Sequence, residues 1–314
     1  MTLPRLTVAV AASLFASSAF AQSIDSCGEV AFSYDSPPTR AISVFQQATE
    51  YMLALGLEDH LIATAYLEDE IPEQWRAAYD GIETHYEEVP AREVVLASNA
   101  DFLLSGFVSA FRDEQLGTQQ EWHDMGVGTY LVNAECRTIY DGTEPMTTEP
   151  IFVDIERLGS LFAVEDRAEA VSAELRERLD AALQTNAGDG LTAFLYDSGT
   201  DAPYSAGCCG SPALLLSSVG LTNISGDVEG RWADLAWEAV VTADPDVIVV
   251  NDAGWSTAQE KIDYMEADPV LSQLRAVKAQ SYVIVPFSET ILGMRFVDGV
   301  DRLSAGLEAL ALEH

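Results

Sequence analysis

Positive charge is scarce in this sequence. Lysine occurs twice in 314 residues, at Lys261 and Lys278, and 16 Lys and Arg together face 51 Asp and Glu, a formal net charge of −35. Nucleic acid and anionic membrane surfaces repel such a chain, so neither is an expected partner. The acidic surface reads as a solvation device, and adaptation to a salty medium is the expectation it raises. Melting temperature measured against salt tests this. It rises as salt screens the self-repulsion, and a flat or falling curve contradicts the idea.

Histidine is also sparse: His60, His85, His123 and His314, with no pair at metal-ligand spacing. A multi-histidine zinc or manganese site is therefore not expected. Enzyme signatures are thin. There is no Gly-x-Ser-x-Gly elbow and no phosphate loop ending in Gly-Lys-Ser/Thr, and Gly126-x-Gly128 is an incomplete dinucleotide fingerprint that reads as a loop. Cys208 as a nucleophile has no basic partner nearby in the sequence. Carboxylates are so numerous that no pairing of them stands out.

The N-terminus has the layout of a secretory signal: Arg5, an apolar stretch, then Ala19-Phe20-Ala21 before Gln22. Residues 1–21 are expected to be cleaved, because the apolar run is short for a membrane span. Cys27 lies in SIDSC without a Leu-x-x-Cys lipobox, so no lipid anchor is expected. The mature chain is expected to be a soluble periplasmic monomer. Four cysteines, Cys27, Cys136, Cys208 and Cys209, allow three pairings in an oxidising compartment. Cys27 with Cys136 is favoured, since both lie in the first half and a bond between halves would restrict a hinge. Cys208 and Cys209 sit in a Gly-rich loop, either as an adjacent disulfide or as thiols.

The chain is organised around WADLAWEAVVTADPDVIVVND, Trp232 to Asp252: an amphipathic helix, a tight turn at Asp244-Pro245-Asp246, then the apolar strand Val247 to Val250. The same unit occurs earlier, from Pro90 to Gly106. Glu93 stands eight residues before Asp101, as Glu238 stands eight before Asp246. Continuous apolar strands imply parallel sheets covered on both faces. The strands Ala41–Phe45, His60–Tyr66, Phe102–Leu104 and Thr129–Asn133 alternate with helices in the first half. Leu191–Asp197, Val247–Val250 and Tyr282–Pro286 do so in the second. Residues 150–184 carry two apolar stripes at helical spacing and no strand, so one or two helices separate the halves. The expected fold is α/β, with two doubly wound Rossmann-like lobes joined by a long interlobe helix. The boundaries are 22–150 for the first lobe, 151–186 for the linker and 187–314 for the second lobe.

Ligands of doubly wound sheets bind beyond the carboxyl ends of the strands. Tyr66, Phe107, Phe111, Arg112 and Tyr130 would line that edge in the first half, and Tyr196, Tyr204, Trp255, Phe287 and Arg295 in the second. Facing edges would enclose an interlobe cleft. With so few cations, Arg112, Arg231 and Arg295 are the candidates for an anionic ligand group, set against surface ion pairing with the many carboxylates.

PPTRAISVFQQATEYMLALGLEDHLIATAY resembles the opening stretch of bacterial ABC-transporter substrate-binding proteins of the siderophore, haem and cobalamin class. REVVLASNADFLLSG resembles a later segment of that family, with Asn99-Ala100 where Lys-Pro is common. IERLGSLFAVEDRAEAV resembles the start of its interlobe helix, and WEAVVTADPDVIVVND and AVKAQSYVIVP resemble its second-lobe landmarks. The order and spacing of these pieces span nearly the whole mature chain. The resemblance implies two lobes on a rigid helix, a ligand held between them, and a permease dimer in the inner membrane as partner. It implies that Glu93 and Glu238, one per lobe, meet arginines of that permease. It also implies a chelate that carries its own metal, with no cofactor resident in the protein. Aromatics with one or two Arg fit an iron-siderophore of hydroxamate type, with cobalamin or haem as the alternative. Cys208-Cys209 departs from the family pattern and puts inherited ligand contacts in that loop in doubt. A rival of another class is an exported metal-dependent enzyme on the same fold, which would need a nucleophile–base or metal-ligand cluster in the cleft. A signalling subunit is a third reading.

Overall fold

The computed structural model describes residues 22–28, 30–136 and 144–310. The expected signal segment and His314 lie outside the described residues. The chain opens with an antiparallel ribbon, β1 (Gln22–Ser26) and β2 (Val30–Tyr34). Sequence reasoning placed the first strand at Ala41 and did not foresee this ribbon. Cys27 in its turn is bonded to Cys136, closing a loop with a sequence separation of 109. Loop-closure entropy for a span of that size is worth about 4–5 kcal/mol of stability. A Cys27→Ser, Cys136→Ser variant should therefore melt well below the parent in non-reducing buffer. Unchanged melting would remove the bond from the stability account.

The first lobe continues with β3 (Ala41–Val44), α1 (Gln46–Ala54), β4 (Leu61–Ala65), α2 (Glu73–Asp80), β5 (Thr84–Tyr86), α3 (Arg92–Ala97), β6 (Phe102–Ser105), α4 (Gln119–Asp124) and β7 (Gly128–Leu131). Its sheet is parallel throughout, in the order β5-β4-β3-β6-β7. Helix α4 starts at Gln119 because Thr118 and Glu121 form a capping box there. Two helices follow, α5 (Glu149–Leu161) and α6 (Glu165–Ala182), parted where Ala163 takes a positive φ of 57°.

The second lobe contains β8 (Thr192–Tyr196), β9 (Tyr204–Ala206), α7 (Ser211–Ser218), β10 (Thr222–Asn223), β11 (Trp232–Asp234), α8 (Trp237–Ala243), β12 (Val247–Asp252), α9 (Ala258–Ala267), α10 (Arg275–Ala279), β13 (Tyr282–Pro286), α11 (Phe287–Thr290) and α12 (Phe296–Leu310). The sheet β10-β8-β12-β13 is again parallel, and β9 and β11 form a small antiparallel pair beside it.

Alternate residues along the central strands feed two apolar layers. Phe102 and Leu104 face one core while Ile42, Val44 and Leu103 face another. In the second lobe, Leu195 and Val249 face one core, and Phe194, Ile248 and Val250 face the other. This is the period-2 alternation of a strand, with both faces apolar because both are covered. One of these cores is continuous from the first lobe through α5 and α6 into the second. Helix α6 is the rod between the lobes, about 27 Å long at 1.5 Å per residue. Arg167 near its start donates to the Ala54 carbonyl in the first lobe, and Arg178 pairs with Asp298 and Asp301 in the second.

The repeat seen in the sequence has the same structural meaning in both lobes. The Asp101 carboxylate accepts from the Thr39 and Arg40 backbone N–H groups at the start of β3. The Asp246 carboxylate accepts from the Thr192 N–H at the start of β8. Each Asp pins the amino end of the neighbouring strand. Glu93 and Glu238 are each the second residue of their helix, and both are exposed.

Candidate functional site: the interlobe cleft

Both parallel sheets reverse their strand order at a switch point. It lies between β3 and β6 in the first lobe and between β8 and β12 in the second. These points are where a crevice opens beyond the strand ends. At the first, Phe45 and Tyr66 follow β3 and β4 directly with φ of 71° and 55°. Phe45 donates its N–H to the Ala65 carbonyl and Tyr66 donates to that of Tyr86. Positive φ in a bulky residue costs on the order of 1–3 kcal/mol and is held by the surroundings, a pattern typical of ligand sites. Here Tyr66 reaches the other lobe, and Phe45 packs behind it on rings of its own lobe.

A belt of seven rings results. Phe45 lies 5.4 Å from Tyr66 and 5.0 Å from Phe107. In the second lobe Trp232 stacks on Tyr204 at 5.3 Å and on Phe287 at 6.3 Å, and Phe287 meets Trp255 at 4.8 Å. The lobes meet through Tyr66 and Trp255 at 6.4 Å, and through Phe107 and Phe287 at 6.3 Å. Tyr66, Phe107, Tyr204, Trp255 and Phe287 were expected at strand ends and stand together here. Phe45 and Trp232 were missed. Phe45 had been read as the last buried residue of a strand, and Trp232 as the start of a helix.

Other expected lining residues sit elsewhere. Tyr130 is a correction: it belongs to β7, is 0% exposed, and donates its hydroxyl to Asp154 on α5 at 2.6 Å. Tyr196 is likewise core, on the outer face of its sheet, donating to the Gly199 carbonyl. Phe111 packs half-buried against the outer core of the first lobe, and Arg112 is exposed just beyond it. Arg295 is buried, its guanidinium shared among Asp69 at 2.7 Å, Glu289 at 2.9 Å and Glu50 at 3.4 Å. Arg231 is buried against Glu135 at 2.6 Å. Ion pairing has therefore claimed two of the three candidate arginines. Apart from Glu289, their partners lie far away in sequence, so spacing could not reveal them.

These pairs also tie the lobes together. Asp69 and Glu135 belong to the first lobe, Arg295 and Arg231 to the second, and Ser288 donates both N–H and Oγ–H to Asp69. The Gln47 side-chain amide donates to the Leu292 carbonyl, and Gly254 N–H to that of Glu68. The cleft is thus set at a fixed opening by hydrogen bonds at several points.

Beside the belt lies a cavity of about 610 Å³ between the lobes, walled by Asp69, Glu70, Glu73 and Arg76 on one side and by Asp252 and Arg295 on the other. Next to it Glu68 is 3% exposed, and burial pushes its carboxyl up to about 8. The folded state then holds a proton that the unfolded chain releases, so stability is lost as pH rises from about 4.5 through 8. Asp154, pushed up to about 6 by burial, acts in the same direction over a narrower window. Melting temperature should fall between pH 5 and pH 8, and Glu68→Gln should flatten that slope. A slope identical in the variant would exclude Glu68 as its source.

His60, His85 and His123 bond to Pro38, Thr64 and Thr129, and none joins the belt. Among the described residues, no three His, Cys, Asp or Glu converge to hold a metal ion, and no helix is long and apolar enough to cross a membrane. Cys208 and Cys209 are joined to each other, in the loop before α7 whose N–H groups bond to Val228 and Gly230.

Residues 42–288 match the family model described as periplasmic binding protein, and the chain belongs to that family. A curated relative, the uncharacterized ABC transporter substrate-binding lipoprotein YvrC of Bacillus subtilis (strain 168), is 22% identical over 295 residues, covering 92% of this chain and 86% of its own. The crystal structure of a periplasmic binding protein from Veillonella parvula superposes with a TM-score of 0.78 at 28% identity, covering 92% of this chain and 98% of that one. An ABC-type Fe3+-hydroxamate transport protein from Saccharomonospora viridis gives 0.75 at 24%, covering 91% and 98%. Periplasmic proteins for haem and vitamin B12 share the fold at lower identity. The chain is thus a periplasmic binding protein by family, and it shares its fold with proteins for ferric hydroxamate, haem and vitamin B12. Such proteins deliver small molecules to a membrane permease, and the family is one of binding proteins rather than enzymes.

Proposed function

We propose that the protein is a periplasmic binding protein that captures an iron-siderophore in the interlobe cleft and passes it to an ABC permease. The observation that carries this is the seven-ring belt shared by both lobes at their switch points. Such a surface suits a bulky chelate with apolar faces, and the chelate brings its own metal, so the protein needs no cofactor. The acidic cavity and the engaged arginines favour a hydroxamate over a polyanionic catecholate. Haem is the alternative, since a belt tyrosine, Tyr66 or Tyr204, could ligate its iron. Glu93 and Glu238 are the proposed contacts with permease arginines, exposed and equivalent in the two lobes. The test is purification from the native periplasm, followed by absorption spectroscopy, mass spectrometry and metal analysis. A stoichiometric ferric chelate supports the reading; a corrinoid or haem replaces the ligand, and turnover of a substrate replaces the function.

A further inference from the structure

We propose that the Cys208–Cys209 bond is a site of reversible reduction by a dithiol, and that it fastens the loop backing Arg231 and Trp232 at the edge of the cleft. This property does not depend on which ligand the cleft holds. The two disulfides among the described residues differ in kind. Cys27–Cys136 spans a sequence separation of 109, whereas Cys208–Cys209 spans 1. The fold stabilises the long-range bond by as much as that bond stabilises the fold, a factor on the order of 1,000 against reduction. Neighbouring residues enclose no chain segment, so Cys208–Cys209 gains no protection of that origin and contributes little to global stability. Its role has to be local.

The pair is within reach of a small reductant. Cys208 is half-buried and lines a cavity of about 220 Å³ with Met146, Leu214 and Asn223, while Cys209 is 4% exposed and Cys136 2%. A dithiol that enters this cavity as its thiolate attacks Cys208 Sγ. The S–S bond breaks, Cys209 leaves as a thiolate and takes up a proton, and the second thiol of the reductant displaces Cys208 as it closes its own disulfide. The chain gains the electrons and protons that the dithiol loses.

The pair is also coupled to the cleft. The backbone N–H groups of Gly207, Cys208 and Cys209 donate to the carbonyls of Arg231, Val228 and Gly230, at 3.0, 2.8 and 3.2 Å. A side chain at Gly207 or Gly210 would strike the backbone of Gly230 or Arg231, so the two segments lie backbone against backbone. Arg231 ties the lobes through Glu135, and Trp232 carries a ring of the belt. The adjacent disulfide restricts the backbone of both cysteines, because the ring it closes includes their planar peptide bond. Opening it frees the loop from which these three hydrogen bonds are made.

The test treats the folded protein with dithiothreitol, alkylates it with iodoacetamide and maps the modified cysteines by mass spectrometry. Cys208 and Cys209 should be alkylated at about 100-fold less reductant than Cys27 and Cys136. In the protein so reduced, amide hydrogen exchange across residues 207–209 and 228–232 should quicken about 10-fold, while residues 66–69 of the first lobe keep their rate. Reoxidation with glutathione disulfide should restore the slow rate. A Cys208→Ser/Cys209→Ser variant should exchange at the fast rate without reductant. The reduction arm uses the native sequence, so it decides the matter even if that variant folds poorly. Alkylation of all four cysteines together, alkylation only on unfolding, or exchange unchanged by reduction overturns the inference.

Discussion

Reversal of charge at Glu93 or Glu238 should cut ligand uptake at least 10-fold while leaving ligand affinity unchanged. Each Glu is the second residue of a short helix running antiparallel to its sheet, which puts it on the side of the strand carboxyl ends. Both are exposed, and neither belongs to the belt. On the docking role proposed above, an arginine in their place would meet permease arginines with like charge, which costs several kcal/mol at a docked interface. Folding is unaffected, since exposed substitutions of this kind stay within about 0.5 kcal/mol. Uptake by cells or by reconstituted permease, set beside equilibrium binding, separates the two effects. Equal loss in both measurements sinks the docking role, and the double reversal should be the most severe.

Removing the ring of Trp255 should weaken ligand binding about 30-fold. A desolvated aromatic anchor contributes about 2 kcal/mol or more, and 1.4 kcal/mol is tenfold in affinity. Trp255 is the cleaner probe because it is 46% exposed, whereas Phe287 is 8% exposed and its truncation opens a core. Trp255→Phe should retain most of the affinity, since Phe keeps a ring to face Tyr66. Full affinity in Trp255→Ala would place the ligand away from the belt.

Much of this was legible in the sequence because it depends on local pattern. The Val247–Val250 and Phe102–Leu104 runs marked buried parallel strands. The spacing of Glu93 to Asp101, echoed by Glu238 to Asp246, marked a unit built twice, and the carboxylates of both Asp residues close on the neighbouring strand. The Cys27–Cys136 bond followed from placing both cysteines in one half. What escaped depends on partners remote in sequence. Arg295 finds Glu50 and Asp69 more than 200 residues away, which turns a candidate ligand contact into a lobe-to-lobe tie. Tyr130 is spent on Asp154 of the connecting helices. Phe45 was hidden by register: one residue past the strand end and at positive φ, it packs on Tyr66 and Phe107. The short pair β9 and β11 has too few residues to show a period, so Trp232 was read into a helix.

The cleft is narrow between its rings yet flanked by open space, and ion pairs and hydrogen bonds tie the lobes together at several points. A ligand that enters would meet a scaffold already in place, which favours affinity by reducing the ordering cost of binding. Breaking the Arg231–Glu135 pair should test that stiffness, since a buried carboxylate left alone costs about 3–5 kcal/mol.

The most direct measurement is a crystal structure of the protein grown with the chelate recovered from its own periplasm. The account predicts density in the interlobe cleft on the open side of the belt, against Tyr66 and Trp255, with the metal inside the chelate and no protein ligand to it. Density confined to an outer surface, or a metal held directly by protein side chains, would contradict it.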